Sequence, residues 1–180
     1  MANVEGKATA ITVISPVKWW GRAALPLVFF AGRHLTFTLK KLQELSFIHY
    51  ARWAVISRFP GGEKRRYPYL LFESNFNGTW DQYIDAFSEV VPDRMKAIWG
   101  SPYGFPGPLP VEPFKDYIRR NEYVANHYWS AYPGASTTEI ISAARIAQAL
   151  DAFKRRSARL PPEAFAEAYA RFLTDVQGDL

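Results

Sequence analysis

Arg52 and Glu73 are the residues whose types and spacing come nearest to a chemical site in this chain. They fall in two runs, Ser46–Arg58 (SFIHYARWAVISR) and Tyr67–Phe76 (YPYLLFESNF), separated by Pro60-Gly61-Gly62 and the charged stretch Glu63–Arg66. Both runs are aromatic and β-branched, and a Gly-rich break between such runs predicts a β-hairpin. A loop centred on Gly62–Glu63 sets its register. Arg52 then opposes Glu73, Tyr50 opposes Asn75 and Ala54 opposes Leu71. In the alternate set Trp53 meets Phe72, Val55 meets Leu70 and Ala51 meets Ser74. Period-two alternation sorts Phe47, Trp53, Val55, Leu70, Phe72 and Phe76 to one face, and Tyr50, Arg52, Tyr69, Glu73 and Asn75 to the other. Charges seldom face a sheet interior unless they are paired or functional. One reading makes Arg52 an anion anchor and Glu73 a general base, with Tyr50, Asn75, Tyr69 and His127 around a ligand. The other makes Arg52 and Glu73 a structural ion pair open to water. A slip of one residue dissolves the pairing altogether.

The three histidines, His34, His49 and His127, match no metal-binding spacing. His49 falls on the helix-facing side of the hairpin, where a hydrogen-bonded core histidine is expected. His49 or His127 could alternatively ligate a haem iron; the cofactor is otherwise unknown, and no other metal is expected. Cysteine is absent, which excludes disulfides, thiolate metal sites and Cys nucleophiles. The phosphate-cradling, nucleophile-elbow, zincin and dinucleotide motifs are missing too. Asp81 and Asp85 stand four apart on a predicted helix, a spacing typical of a solvated surface.

A second feature is Lys18-Trp19-Trp20-Gly21-Arg22, followed by the apolar run Leu25–Phe30. Aromatic girdle, basic flank and short apolar body together suit an interfacial anchor with Trp19, Trp20 and Arg22 in contact with a membrane. The same segment equally suits a core helix on the sheet. The net charge is +5, and Lys18, Arg22, Arg33, Lys40 and Lys41 account for all of it: no Asp or Glu lies between Lys18 and Lys41. Such a local excess favours an anionic surface. The apolar run Ala23–Gly32 contains Pro26 and is far short of the roughly 20 residues a spanning helix needs.

These residues must be positioned by a small set of elements. A chain of 180 residues, 48% hydrophobic and 16% aromatic, can bury a sizeable core. One domain is expected over 8–177, after a flexible start at 1–7. Ala8–Val17 reads as a strand. Trp19–Leu45 reads as helix, interrupted at Pro26 and Gly32. Thr79 and Gln82 form a capping box ahead of a helix with Trp80, Tyr83, Ile84 and Phe87 on one face. Pro92 ends that helix, and a short turn reaches Trp99. Gly100–Pro113, with five prolines and three glycines, reads as an ordered loop or lid. Phe114–Asn121 reads as a short helix and Tyr123–Tyr132 as the last strand. Ser136 and Glu139 cap a helix to about Arg156 that packs Ile140, Ala144, Ala147 and Leu150. A final helix from Pro161-Pro162 carries Phe165, Tyr169, Phe172 and Val176.

The order is that of an α+β, ferredoxin-like βαββαβ sheet with extra C-terminal helices. One sheet face is left bare, and a second copy would cover it. Stretches such as LSFIHYARW, LLFESNFNGTWDQYIDAF and HYWSAYP resemble an uncharacterised bacterial family that looks like the dimeric α/β-barrel superfamily, over roughly Ile11 to Phe153. That superfamily includes small monooxygenases and haem-dependent enzymes as well as non-enzymatic relatives. The resemblance implies a homodimer and, faintly, a redox role. No haem-ligand motif or catalytic signature of a named member is present.

Two functions follow. The first is a small-molecule-binding barrel, an oxidoreductase in its sharpest form, taking a largely apolar ligand with a polar or anionic group. The alternative is a non-catalytic peripheral membrane or partner-binding protein acting through the basic, aromatic N-terminal helix. The glycine-aromatic RNA-binding pattern is missing, so nucleic acid is not expected. A cytoplasmic location, with membrane association, fits both.

Overall fold

Alternating apolar positions draw out the strands, and in the computed structural model they pair as one antiparallel sheet. Residues 3–34, 45–58 and 61–180 are described, excepting the side chains at positions 64 and 65. Lys40, Lys41, Pro60, the side chains of Lys64 and Arg65, and any second helix before Leu45 lie outside the described residues. The chain divides into two compact units, Met1–Gly134 and Ala135–Leu180, where the sequence suggested one domain over 8–177.

The first unit holds strands β1 (Val4–Glu5), β2 (Ala8–Pro16), β3 (Ile48–Arg58) and β4 (Lys64–Asn77). Their order across the sheet is β1-β2-β4-β3. Helices α1 (Gly21–His34), α2 (Trp80–Val90), α3 (Pro92–Trp99) and α4 (Val111–Asn121) complete it. The second unit is a helical hairpin of α5 (Thr137–Ser157) and α6 (Pro162–Val176), ending in a 3-10 turn, Gln177–Asp179. The fold class is α+β, with a four-stranded antiparallel sheet and six helices among the described residues.

The β3–β4 register is the expected one over its centre: Tyr50 opposes Asn75, Arg52 opposes Glu73 and Val55 opposes Leu70. Near the tip Arg58 opposes Lys64, so the loop itself is not centred on Gly62–Glu63. An irregularity after Ile56↔Tyr69 absorbs the difference. Pro68 sits in it, where a residue lacking an N–H costs no ladder bond. Its carbonyl accepts from the Val17 N–H at 2.8 Å.

One sheet face carries the core. Ile11, Val13, Phe72 and Phe76 pack with Tyr83, Ile84 and Phe87 of α2 and with Phe114, Tyr117 and Ile118 of α4. Phe76 and Tyr83 stack at 4.0 Å between ring centres. Leu25 of α1 packs on Val17 and Leu70. The capping boxes at Thr79 and Ser136 both form as their sequences predict.

Five expectations give way. Residues 3–7 are not a loose start: β1 pairs with β2, and Asn3 is buried. Pro26 and Gly32 do not interrupt α1, which runs unbroken through both. Pro26 points outward, so the carbonyl that loses its helical bond there can be met by water. Tyr123–Tyr132 is not a strand. The Tyr123 N–H bonds to β2 at the Thr12 carbonyl; further along, Ala125 and Ser130 donate to the side chains of Asn3 and Glu5. β1 holds the outer edge of β2 instead. Gly100–Pro113 is not loop throughout: residues 111–113 open α4, and in the rest Ser101, Pro102 and Pro108 are buried and Phe105 packs on Phe114 and Tyr117, as in an ordered loop rather than a lid. On α5, Ile140, Ala144 and Ala147 are exposed rather than packed, and Phe153 and Ser157 are the buried residues.

Candidate functional site

Alternation along β3 and β4 places the polar set on the face away from the helices. Arg52 and Glu73 are joined there as an ion pair, with the Arg52 side chain 65% exposed and that of Glu73 25%. Tyr50 is exposed beside it. Asn75 donates to the Tyr128 hydroxyl at 2.9 Å, so Tyr128, not His127, is the residue brought to this face from the 123–132 segment. Burial, then the Tyr50 and Glu5 charges, push the Tyr128 hydroxyl up from its ordinary pKa. Tyr69 opposes Ile56 on one side and Pro16 on the other, and is half-buried. The face is shallow: Ile14, Ala54, Ile56 and Leu71 are each partly exposed around the pair. Arg52 and Glu73 satisfy each other's charge, which leaves little unspent for catalysis in this geometry.

The histidines were tested against a haem. An axial ligand must present its nitrogen to a space wide enough for a porphyrin. His49 lies where β3 slips register, and its Nε2 is enclosed, with no hydrogen-bond partner among the described residues. The residue as a whole is only partly buried, and the hydrogen bond expected of a core histidine is not made at that nitrogen. His127 is exposed. Neither fits that group. Among the described residues no cluster of His, Asp or Glu could hold a metal ion.

The N-terminal segment is built differently. Gly21 and Leu25 form the buried side of α1. Turning away from them, at spacings of four and three, stand Ala23, Leu27 and Phe30, a stripe on one helical face, and Trp19 stands in the turn just before the helix. Trp19 is 82% exposed, Leu27 69% and Phe30 64%. Arg22 and Arg33, eleven apart, share one edge of this stripe and are exposed. Phe30 packs its ring on His34 at 4.4 Å. Lys18 donates to the Gly100 carbonyl at 3.3 Å and lies 5.9 Å from the Trp20 ring.

Two residues that the sequence did not single out, Tyr67 and Tyr103, join this end of the sheet with Arg66 of the basic hairpin tip, whose residues Lys64-Arg65-Arg66 offer a second basic contact. The bond from Val17 to Pro68 and that from Tyr103 to the Pro16 carbonyl bring Tyr67 and Tyr103 together. Their rings meet edge to face at 6.2 Å, and both are exposed. The Arg66 guanidinium lies 5.3 Å from the Tyr67 ring. Trp19 and Trp20 thus precede α1 directly, and the Tyr67–Tyr103 pair is tied to Pro16 and Val17 just ahead of them, with Lys18 near the Trp20 ring and Arg66 near that of Tyr67. No periodicity in the sequence announces this, because the residues come from three separate segments.

Asp81 and Asp85 were also misjudged as merely solvated. Both reach the Lys115 ammonium, at 3.4 and 2.8 Å, and Glu112 adds a third carboxylate at 3.5 Å. Hydrogen bonding to Asp85 dominates in pushing the Lys115 pKa up. This cluster ties α2 to α4; its three carboxylates outnumber the one ammonium, and Arg119 also reaches Asp81, at 3.2 Å.

No family model matches the chain, and neither the curated proteins nor the solved structures contain a match to it.

Proposed function

We propose that this protein is a peripheral, non-spanning membrane-binding protein that rests on anionic lipid through the outer stripe of α1. One observation carries the reading: Leu27 and Phe30 project their bulk outward from a helix whose other side is already packed, and Trp19 stands exposed in the turn that precedes it. Large apolar side chains on one ridge gain about 1.5–3 kcal/mol each when fully buried. An interfacial helix lies in the headgroup plane with such a ridge inward and a basic edge beside it. Arg22 and Arg33 supply that edge, and each basic residue near an anionic leaflet contributes about 1 kcal/mol. Trp20, Tyr67 and Tyr103 supply the amphipathic rings that favour the headgroup level. No helix among the described residues is long and apolar enough to cross a membrane, so attachment is to one leaflet.

Vesicle flotation tests this. The wild type is expected to float with vesicles containing phosphatidylserine and far less with phosphatidylcholine alone. Replacing Trp19, Leu27 and Phe30 together by Ala is expected to leave the protein at the bottom of the gradient, its circular dichroism unchanged. A wild type that stays down with every vesicle, or a triple variant that floats like it, sinks the reading.

A second reading rests on the open sheet face. The order β2-β4-β3, with the described helices of the first unit packed on one face, supports a ferredoxin-like sheet of the dimeric α/β-barrel kind. A second copy across the bare face would enclose a barrel lined by Arg52, Glu73, Tyr50, Asn75 and Tyr69. A small apolar ligand with an anionic group would pair with Arg52, releasing Glu73 as a base, and an oxidoreductase is the sharpest form of that reading. The partly exposed apolar residues around an ion pair are the observation in its favour.

A further inference from the structure

We propose that a cavity in the C-terminal hairpin binds a small zwitterion of the α-amino-acid class, one with an apolar side chain. The cavity measures about 200 Å³ and is lined by residues of both α5 and α6. Its origin lies in side-chain size. Phe153 stacks on Phe172 at 5.1 Å and fills the seam at that level. One helical turn away on each helix the lining residues are Ser157 and Ala168, and both are too short to close the gap. The space equals about seven waters at roughly 30 Å³ each, room for one small organic molecule.

The polar groups around it lack partners of their own. Ser157 is 7% exposed, yet its hydroxyl makes no hydrogen bond among the described residues, and it lines the cavity. A buried hydroxyl ordinarily finds a partner. Arg156 and Asp175 line the same space, and neither is in an ion pair among the described residues. Arg171, also at the cavity, has a contact of 3.4 Å to Glu167 in which both side chains are exposed. Such a pair is weak and easily exchanged. Charges of both signs thus border one small space without neutralising each other. A simple anion would meet Asp175 as a repulsive neighbour, and a simple cation would meet two arginines. A ligand with both charges uses them all: its carboxylate goes to the guanidiniums, its ammonium to Asp175. The Phe153 and Phe172 rings then receive its apolar body.

The test titrates the whole chain with L-leucine and reads binding by saturation-transfer NMR. Two fragments of leucine are run beside it: isocaproate, which lacks the ammonium, and isoamylamine, which lacks the carboxylate. Leucine is expected to bind at millimolar concentration, and each fragment about tenfold more weakly or worse, the loss expected for one charged hydrogen-bonded contact. Arg156→Gln should weaken leucine and isocaproate alike. Asp175→Asn should weaken leucine and leave isocaproate no worse. Ala168→Leu fills the gap and should abolish all binding; if it disturbs the fold, the two variants at exposed positions decide. A wild type that binds none of the three overturns the inference. So does leucine binding that ignores Arg156→Gln or survives Ala168→Leu, which would place it elsewhere. Isocaproate that binds as tightly as leucine, with Asp175→Asn without effect, overturns the zwitterion.

Discussion

Glu122, just beyond α4, is a carboxylate held partly out of water, and its titration links pH to stability. Burial pushes its pKa up, and this outweighs the Trp80 hydrogen bond and the Arg119 charge, which lower it. The Trp80 indole N–H donates to it at 2.9 Å. A folded-state pKa above the unfolded one means that the folded chain holds the proton over the interval between them. Stability is therefore highest at and below the ordinary carboxylate range and falls as pH rises through the raised value. Glu122→Gln keeps an acceptor for Trp80 and removes the titration, so its urea midpoint should fall less between mildly acidic and neutral pH. An unchanged slope would assign the pH dependence to another group. Arg52 belongs to this scale as well. Its exposed pair with Glu73 is worth less than about 1 kcal/mol to the fold, so Arg52→Ala should melt close to the wild type. If the sheet face binds a ligand, native mass spectrometry should find a co-purified small molecule on the wild type and none on the variant. The Arg52–Glu73 pairing was legible because two-residue periodicity and a hairpin break fix a register over several residues. The Lys115 cluster was not, since Asp81 and Asp85 meet Lys115 only when α2 and α4 pack.

At the scale of elements, Gly21 decides how α1 leaves the sheet. A Cβ there would collide with Val17 Cγ1 and lie 2.6 Å from Ser101 Cβ, so the first turn of the helix can approach β2 only as glycine. Gly21→Ala should cost about 1–3 kcal/mol, the usual range for overpacking, measured as a lowered melting temperature. A variant as stable as the wild type would mean that this approach is not tight. Capping boxes are local, with all partners inside four residues, and both were readable in advance. Pro26 was misread because its penalty depends on whether the orphaned carbonyl meets water, which the helix's place in the fold settles. The 123–132 segment has strand composition but not strand bonds, since β1 already takes the outer edge of β2. Edge position is a tertiary property.

At the scale of the molecule, the basic excess lies in one segment, and its effect is long-ranged. Vesicle binding through α1 should therefore weaken as salt is added, whereas the apolar part of the attachment should persist. Salt-insensitive flotation would assign the attachment to the apolar ridge alone. Sequence by itself determined the α+β class, the central hairpin register, the caps and the position of the charge excess. Each of these follows from the composition, from residues a few positions apart or, for the register, from two-residue periodicity on both sides of one short break. Only the tertiary structure decided which apolar residues are spent in the core and which stand outside. Leu25 and Leu27 differ by two positions and almost nothing in chemistry, yet one is buried and the other projects outward, because a helix has two sides and the sheet can cover one.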